Sequence, residues 1–508
     1  MNNDQIYNSI ETKPWKHESF YCHDLPTEPR SDTGTILVTG ASGYIGGRLV
    51  PELLVRGYDV RIMVRAASPE YHDFWPSSDI VVADAMDRES LDNALEGIDT
   101  AYYLIHSLLM GPTDFEAAEI KAAENFRIVA EKMGVKRIIY LGGLGDAGSE
   151  LSDHLSSRYR VGQELSAGTV PVTVLRAAVI IGAGSASYEI IKHLVMAFPV
   201  LFIPRWAKSK CQPIAIRDVV KYLVAVLEID EATGKAFDIG GEDVMSYKMM
   251  LKEFADQYGY KRIFFPLPTS NINLLSYVAS LATPVPAAIT RSLMGSLRNE
   301  VICCDNSIDN IISFKRSTYR EAIVKAMNRE EQDAIYTRWT GSYPPAHELA
   351  MKLHELTEGP TFTASYSILT DKTASALYDS ICTIGGRDGW FSNNWMWRLR
   401  GFMDRIFMGV GDIRGRRSHQ TVKINDVIGF WRIEDLQQDK RLLLRAEMKL
   451  PGMAWLEFLI HDQGDKRKVT VIPFHFTKTF GGKLYWYFFL PFHGIIFNNL
   501  IKQIEKRS

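Results

Sequence analysis

Three glycines at regular spacing, Gly40, Gly43 and Gly46, carry the most specific chemistry in this chain. They punctuate Gly40-Ala41-Ser42-Gly43-Tyr44-Ile45-Gly46, which follows a short apolar run (Ile36, Leu37, Val38) and precedes an apolar-periodic stretch (Leu49, Leu53, Leu54). That order predicts strand, tight turn, helix. In such a turn the first glycine lets the chain bend sharply, and the second removes a side chain where a pyrophosphate approaches the backbone. The third lets the helix pack close to the sheet. The N–H groups at the helix start and the positive end of its dipole then face the phosphates. The next apolar run ends at Arg65, where an acid would bind a ribose 2′-hydroxyl. A cation with a fork of donors suits a 2′-phosphate instead, so the pattern points to NADP rather than NAD. Arg48 is a second cation for that phosphate; the plainer reading of Arg65 is a solvated strand end.

Two more runs end in chemistry-bearing residues. Asp84 and Ala85 close the third, where a carboxylate either accepts from an adenine amino group or caps the helix near Arg88. Ile105 and His106 close the fourth, at the sheet edge where ligands bind, and His106 is either a nicotinamide-side residue or a structural histidine.

Regular alternation must position these groups. Apolar runs at 36–39, 60–64, 80–83, 101–105 and 138–141 alternate with amphipathic segments at 46–56, 88–95 and 115–133. Further runs follow at 172–181 and 235–241. This predicts an α/β fold over residues 34–256, a doubly wound parallel Rossmann sheet with right-handed crossovers. Residues 1–33 are polar and read as a flexible N-terminal arm. Residues 257–345 read as a mostly helical substrate-side extension and linker, ending near Tyr343-Pro344-Pro345. In 346–508, strands separated by the polar breaks IEDLQQDKR, LPGM and HDQGDKR predict an antiparallel sheet in a second, α+β domain. A helix near 373–383 precedes it and an apolar helix at 482–505 follows.

A chain of 508 residues needs more than one domain, and its net charge of −2 argues against bulk nucleic-acid binding. The five cysteines are scattered with no C-x-x-C, which suggests a reducing, cytoplasmic compartment and no metal site. The aromatic stretch 484–500 reads as a buried C-terminal helix; the alternative is a helix lying on a membrane surface, a peripheral contact through the C-terminus. Trp390, Trp395, Trp397, Trp431, Trp455, Trp486 and their phenylalanine neighbours either line an apolar ligand site or fill a core. Arg414, Arg416, Arg417 and His419 form a basic cluster that suits an anionic head group or a solvated loop.

The pieces VTGASGYIGGRL, ADAMD, YYLIHS, KRIIYLGGLGD, LRAAVIIGAGS and QPIAIRDVVKYLV together resemble the extended and atypical members of the short-chain dehydrogenase/reductase superfamily. The whole order is similar to a bacterial group of NAD(P)H-binding proteins in which this domain precedes a START-like, helix-grip domain of unknown function. The resemblance implies a serine on the fifth strand and a Tyr-x-x-x-Lys pair on the next helix. This chain has Gly142 and Gly143 at the strand, and Gln163 four residues after Tyr159. A neutral amide does not lower the pKa of a phenol. Catalysis then falls to Tyr159, Arg158, His154 or His106, or the domain binds NADP without turnover. Ala177, Ala178 and Val179 are expected near the nicotinamide, with Gln212, Pro213 and Asp218 in a closing segment; the plainer reading of Asp218 is the cap of a helix over 219–228. The resemblance implies an NADPH-dependent oxidoreductase acting on a hydrophobic carbonyl or enone; the alternative is a regulatory or ligand-carrier protein with an apolar C-terminal cavity.

Overall fold

The computed structural model describes residues 16–65, 71–75, 77–106, 115–145, 151–267, 271–331, 352–356, 358–385, 389–414, 416 and 422–508. Seven apolar strands form a parallel sheet: β1 (Ile36–Val38), β2 (Val60–Val64), β3 (Asp79–Val82), β4 (Thr100–Tyr103), β5 (Arg137–Gly143), β6 (Val172–Ala177) and β7 (Ala236–Ile239). Their order is β7-β6-β5-β4-β1-β2-β3. Helices α1 (Gly46–Val55), α2 (Arg88–Leu95), α3 (Phe115–Met133), α4 (Asp153–Ser166) and α5 (Ile216–Glu228) cover it.

The central strands are mostly apolar because both faces are covered, whereas the edge strand β3 is partly exposed. Ile36, Val38, Ile62, Tyr102 and Ile139 share one core with Leu49 and Leu53 of α1 and Val219 to Leu227 of α5. Their alternates Leu37, Met63, Ala101, Tyr103 and Ile138 share the other with Leu91, Phe126 and Val161 of α2, α3 and α4. The strand order reverses between β1 and β4, so the crevice for a ligand opens at their carboxyl ends.

Three expectations about boundaries change. Residues 16–33 are not an arm: Tyr21, Cys22 and Leu25 are buried in the first core. The cause is Glu52, which α1 turns inward; its carboxylate accepts from Tyr21 N (2.7 Å) and Cys22 N (3.1 Å). Residues 1–15 lie outside the described residues. The run 172–181 splits, since β6 ends at Ala177 and Ile180–Ile181 pairs with Ile214–Ala215 instead. The extension 257–345 is also divided. Of the described residues, 16–267 and 292–329 belong to one compact unit, and 271–291, 330–331 and those from 352 to 508 to the other. Tyr343-Pro344-Pro345 lies outside the described residues.

The second unit holds an antiparallel sheet of β8 (Phe362–Thr363), β9 (Tyr366–Thr370), β10 (Val427–Ile428), β11 (Trp431–Gln437), β12 (Arg441–Ala446), β13 (Met453–Gln463) and β14 (Lys466–Phe476). The last five run as successive hairpins, and β8 and β9 both pair with β14. The expected break IEDLQQDKR is mostly strand: β11 runs through Gln437 with a register shift at Ile433/Asp435. Its acids are accommodated because Glu434 accepts from Trp455 Nε1 (2.8 Å) and Asp435 pairs with Arg441 (2.7 Å). Helices α6 (Ile272–Ala282), α7 (Ala374–Cys382), α8 (Asn394–Ile406) and α9 (Phe480–Arg507) complete the unit.

Most of the tryptophans fill core. Trp390 stacks on Trp397 with centroids 4.1 Å apart, and Trp397 meets Trp431 edge-on at 6.3 Å. Trp455 and Trp486 are buried, whereas Trp395 and Phe488 are exposed. Arg414 and Arg416 do not await an anion: Arg414 donates to Glu447 (2.6 Å) and Gly429 O, and Arg416 to the carbonyls of Ile384 and Cys382. Arg417 and His419 lie outside the described residues. The C-terminal helix is buried only in part, since Phe497, Leu500, Ile501 and Ile504 enter the core while Leu484, Tyr487 and Phe488 do not. Among the described residues, no helix is long and apolar enough to cross a membrane.

Candidate functional site

The glycine loop leaves the carboxyl end of β1. Gly40 has φ +65°, a conformation that side chains disfavour, and a Cβ there would lie 2.8 Å from Leu104 O. A Cβ on Gly46 would lie 2.5 Å from Gly40 O, so the start of α1 touches the loop backbone. On Gly43 it would meet Gly40 O at 3.1 Å. The loop is therefore wound too tightly for side chains at these positions, leaving backbone to face a phosphate. Ala41 is buried, Ser42 and Tyr44 are half-buried, and Ile45 caps α1 without a side-chain bond to its N–H groups. This cradle fits a dinucleotide pyrophosphate. Thr39 fixes it to the next strand in the crevice: its hydroxyl donates to Tyr102 O (2.9 Å) and accepts from Leu104 N (3.0 Å).

The remaining cofactor-side expectations divide. Arg65 follows the last residue of β2, the strand beside β1, and is exposed. Arg48 is not a second cation for a 2′-phosphate. It is buried, donates to Tyr44 O and Ala183 O (2.9 Å each) and lies over the Tyr44 ring. Asp84 is exposed and bends its own turn, accepting from Met86 N (2.9 Å); the cap of α2 is Asp87, which accepts from Glu89 N (3.1 Å). Ala85 is buried, and its carbonyl accepts from Asn125 of α3 (3.1 Å). Gln212 spans Gly241 O and Cys303 N, and Asp218 accepts from Ser317 N (2.7 Å), so both tie the fold together. Asp218 lies inside α5 rather than capping it.

A second polar group gathers at the ends of β4 and β5. His106 Nδ1 lies 2.8 Å from Glu119 Oε1, and Ser157 Oγ donates to Glu119 Oε2 (2.6 Å). The His154 ring lies 5.1 Å from that of His106. Arg158 donates to Leu141 O and, at 3.5 Å, to Ile105 O, and crosses the Tyr140 ring. Burial alone would raise the Glu119 carboxyl, but His106, Arg158 and Ser157 outweigh it and hold it well below the carboxylate range. Burial lowers His106 and Arg158 lowers it further, against the pull of Glu119. Burial, reinforced by His106 and Arg158, pushes His154 down to about 3. The consistent state is a Glu119 anion accepting Nδ1–H from a neutral His106, whose Nε2 then carries the lone pair.

Tyr159 is not part of this group. It is 39% exposed on the outer face of α4, as is Gln163, while Leu155, Ser157, Arg158 and Val161 face inward. A serine at Gly143, as in the resembled family, would press on Leu155: its Cβ would lie 3.1 Å from Leu155 Cδ2 and 3.6 Å from Arg158. Sequence reading missed Thr39, Glu119 and Ser157. Glu119 had a signal, a charge standing in the stripe Ala122, Ala123, Phe126, Val129 and Ala130 that α3 buries.

With the phosphate cradle, strand order and crevice in place, the likeness to known proteins is specific. Residues 32–260 match the NmrA-like family, and residues 356–500 match a family described as a protein of unknown function (DUF2867). Residues 32–260 are thus similar to the NmrA-like family and have a Rossmann fold of the NAD(P)-binding kind. The NmrA-like domain is similar to a 3-beta-hydroxysteroid dehydrogenase from Mycolicibacterium neoaurum, 35% identical over 121 residues, covering 22% of this chain and 32% of that protein. The chain thus spans about a third of that relative's length. It is 24% identical over 269 residues to sanguinarine reductase from Eschscholzia californica, covering 43% of this chain and 95% of that protein. It is also 24% identical over 299 residues to the Arabidopsis thaliana NADH dehydrogenase [ubiquinone] 1 alpha subcomplex subunit 9, covering 56% and 74% of the two chains.

Proposed function

We propose that the protein is an NADPH-dependent oxidoreductase that interconverts an apolar carbonyl compound and its alcohol, with His106 exchanging the proton. The observation that carries this reading is the Ser157–Glu119–His106 chain at the carboxyl edge of β4, on the same sheet edge as the glycine cradle. The loop from Gly40 to Gly46 would hold the pyrophosphate and Arg65 the 2′-phosphate. The bound cofactor supplies or accepts the hydride. Glu119 and Ser157 fix the tautomer and orientation of His106, whose Nε2 takes the hydroxyl proton in oxidation and returns it in reduction. The hydroxysteroid named in one relative supports a bulky apolar substrate.

One observation favours a second reading. Tyr159 and Gln163, at the family's catalytic positions, both face solvent. On this reading the domain binds NADP as a regulatory element, and the second unit, whose helix α9 packs its last turns against the sheet, acts as a helix-grip ligand carrier. Purified protein with NADPH and a panel of ketosteroids, enones and quinones separates the two. Consumption that His106→Ala slows about a hundredfold supports the enzyme. Bound NADPH that no member of the panel consumes would leave the carrier reading.

A further inference from the structure

The second unit exposes an aromatic face that its own core does not use. On α8, Trp395, Leu399 and Phe402 recur at helical spacing and are 51–63% exposed. On the first half of α9, Leu484, Tyr487 and Phe488 are 61–64% exposed. The two helices meet where Arg400 Nε donates to Tyr485 OH at 3.5 Å. Soluble proteins rarely leave such a contiguous aromatic surface uncovered.

Charge indicates what covers it. The acids of α8 and α9 are Asp404 and Glu505. Asp404 is 1% exposed, accepting from the backbone N–H of Gly411 and Lys449, and Glu505 stands in the last turns of α9, away from the aromatic half. The exposed cations near the face are Arg398, Lys449 and Lys483; the acids beside it are Asp412, half-buried against Gly401 of α8, and Glu358, paired with Lys478. A second copy seated on the same patch would set these cations against one another. An anionic lipid surface meets both features, since aromatic side chains settle at the headgroup level and cations meet the phosphates. The helix would lie on the bilayer, because Phe497, Leu500, Ile501 and Ile504 are already committed to the core.

We propose that α8 and the first half of α9 seat the protein on an anionic lipid surface. The test is cosedimentation of the full chain with phosphatidylcholine vesicles and with vesicles of phosphatidylcholine and phosphatidylglycerol. Binding to the mixed vesicles is expected to weaken with salt, and about tenfold or more in Arg398→Glu/Lys483→Glu. Leu484→Ser/Phe488→Ser should weaken it as well, with an unchanged circular dichroism spectrum marking folded protein. The two charge reversals lie on the exposed surface, so they remain informative if the apolar pair fails to fold. Failure to cosediment with mixed vesicles at low salt would overturn the proposal. So would a concentration-dependent dimer that the same substitutions dissolve, which would assign the face to a second copy.

Discussion

Burial and the Arg158 guanidinium hold the His106 imidazole below its ordinary titration range, while Glu119 pulls the other way. Oxidation needs the neutral imidazole. Its rate should therefore hold at neutral pH and fall only as pH drops through a pKa below 6.5, whereas reduction should speed up over the same interval. Glu119→Gln removes the group that raises this pKa, so the acid limb of the kcat profile should move to lower pH, with cofactor affinity unchanged. A limb that stays in place would separate Glu119 from the proton exchange. His154 bears on stability. Its folded-state pKa of about 3 lies below the ordinary 6.5. Below pH 6.5 the unfolded chain binds a proton that the native state does not, so stability falls from there down to about pH 3. His154→Gln should flatten this dependence, read as the urea midpoint at about pH 7 and about pH 5. Glu119 does not offset it: its stabilisation, present above 4.5, is lost as pH falls below that value, in the same direction as the His154 effect. Arg65→Glu should weaken NADPH about tenfold more than NADH in titrations; equal losses would remove the 2′-phosphate assignment.

The elements act through close backbone approach. A methyl on Gly46 would meet Gly40 O at 2.5 Å and Ala41 Cα at 2.8 Å, both backbone atoms that cannot swing aside. Gly46→Ala should therefore shift α1 off the cradle and weaken NADPH binding at least about tenfold. Gly295→Ala, where a methyl meets nothing within 4 Å, should not. The end of β5 makes the same argument about catalysis. Gly143→Ser would restore the residue type of the resembled family, but its Cβ falls 3.1 Å from Leu155. It should lower stability by about 1–2 kcal/mol without raising turnover. A gain in activity would mean that α4 can retreat from the strand.

At the scale of the molecule, two compact units each carry a hydrophobic core of their own. Thermal unfolding should show two transitions, and saturating NADPH should raise only that of the NmrA-like unit, by about 2.7 kcal/mol at a hundredfold excess over Kd. The doubly wound sheet was legible because both-face burial writes each strand as a continuous apolar run and each helix as a stripe. The glycine cradle was legible because its backbone geometry admits few residue types. The boundaries were less so. Residues 16–33 look like an arm until Glu52 is seen turned inward to bind their backbone, a pairing 30 residues apart that leaves no local pattern. The break assigned to Glu434 and Asp435 failed likewise, because Trp455 and Arg441 satisfy those charges across the sheet. The sequence by itself determined the glycine loop between strand and helix, the alternation of strands and helices and the absence of the family's serine and lysine. Only the tertiary structure decided that Tyr159 faces solvent and that Glu119, Ser157 and His106 meet. Which groups converge at a sheet edge depends on helix rotation and long-range packing, and neither is encoded by spacing along the chain.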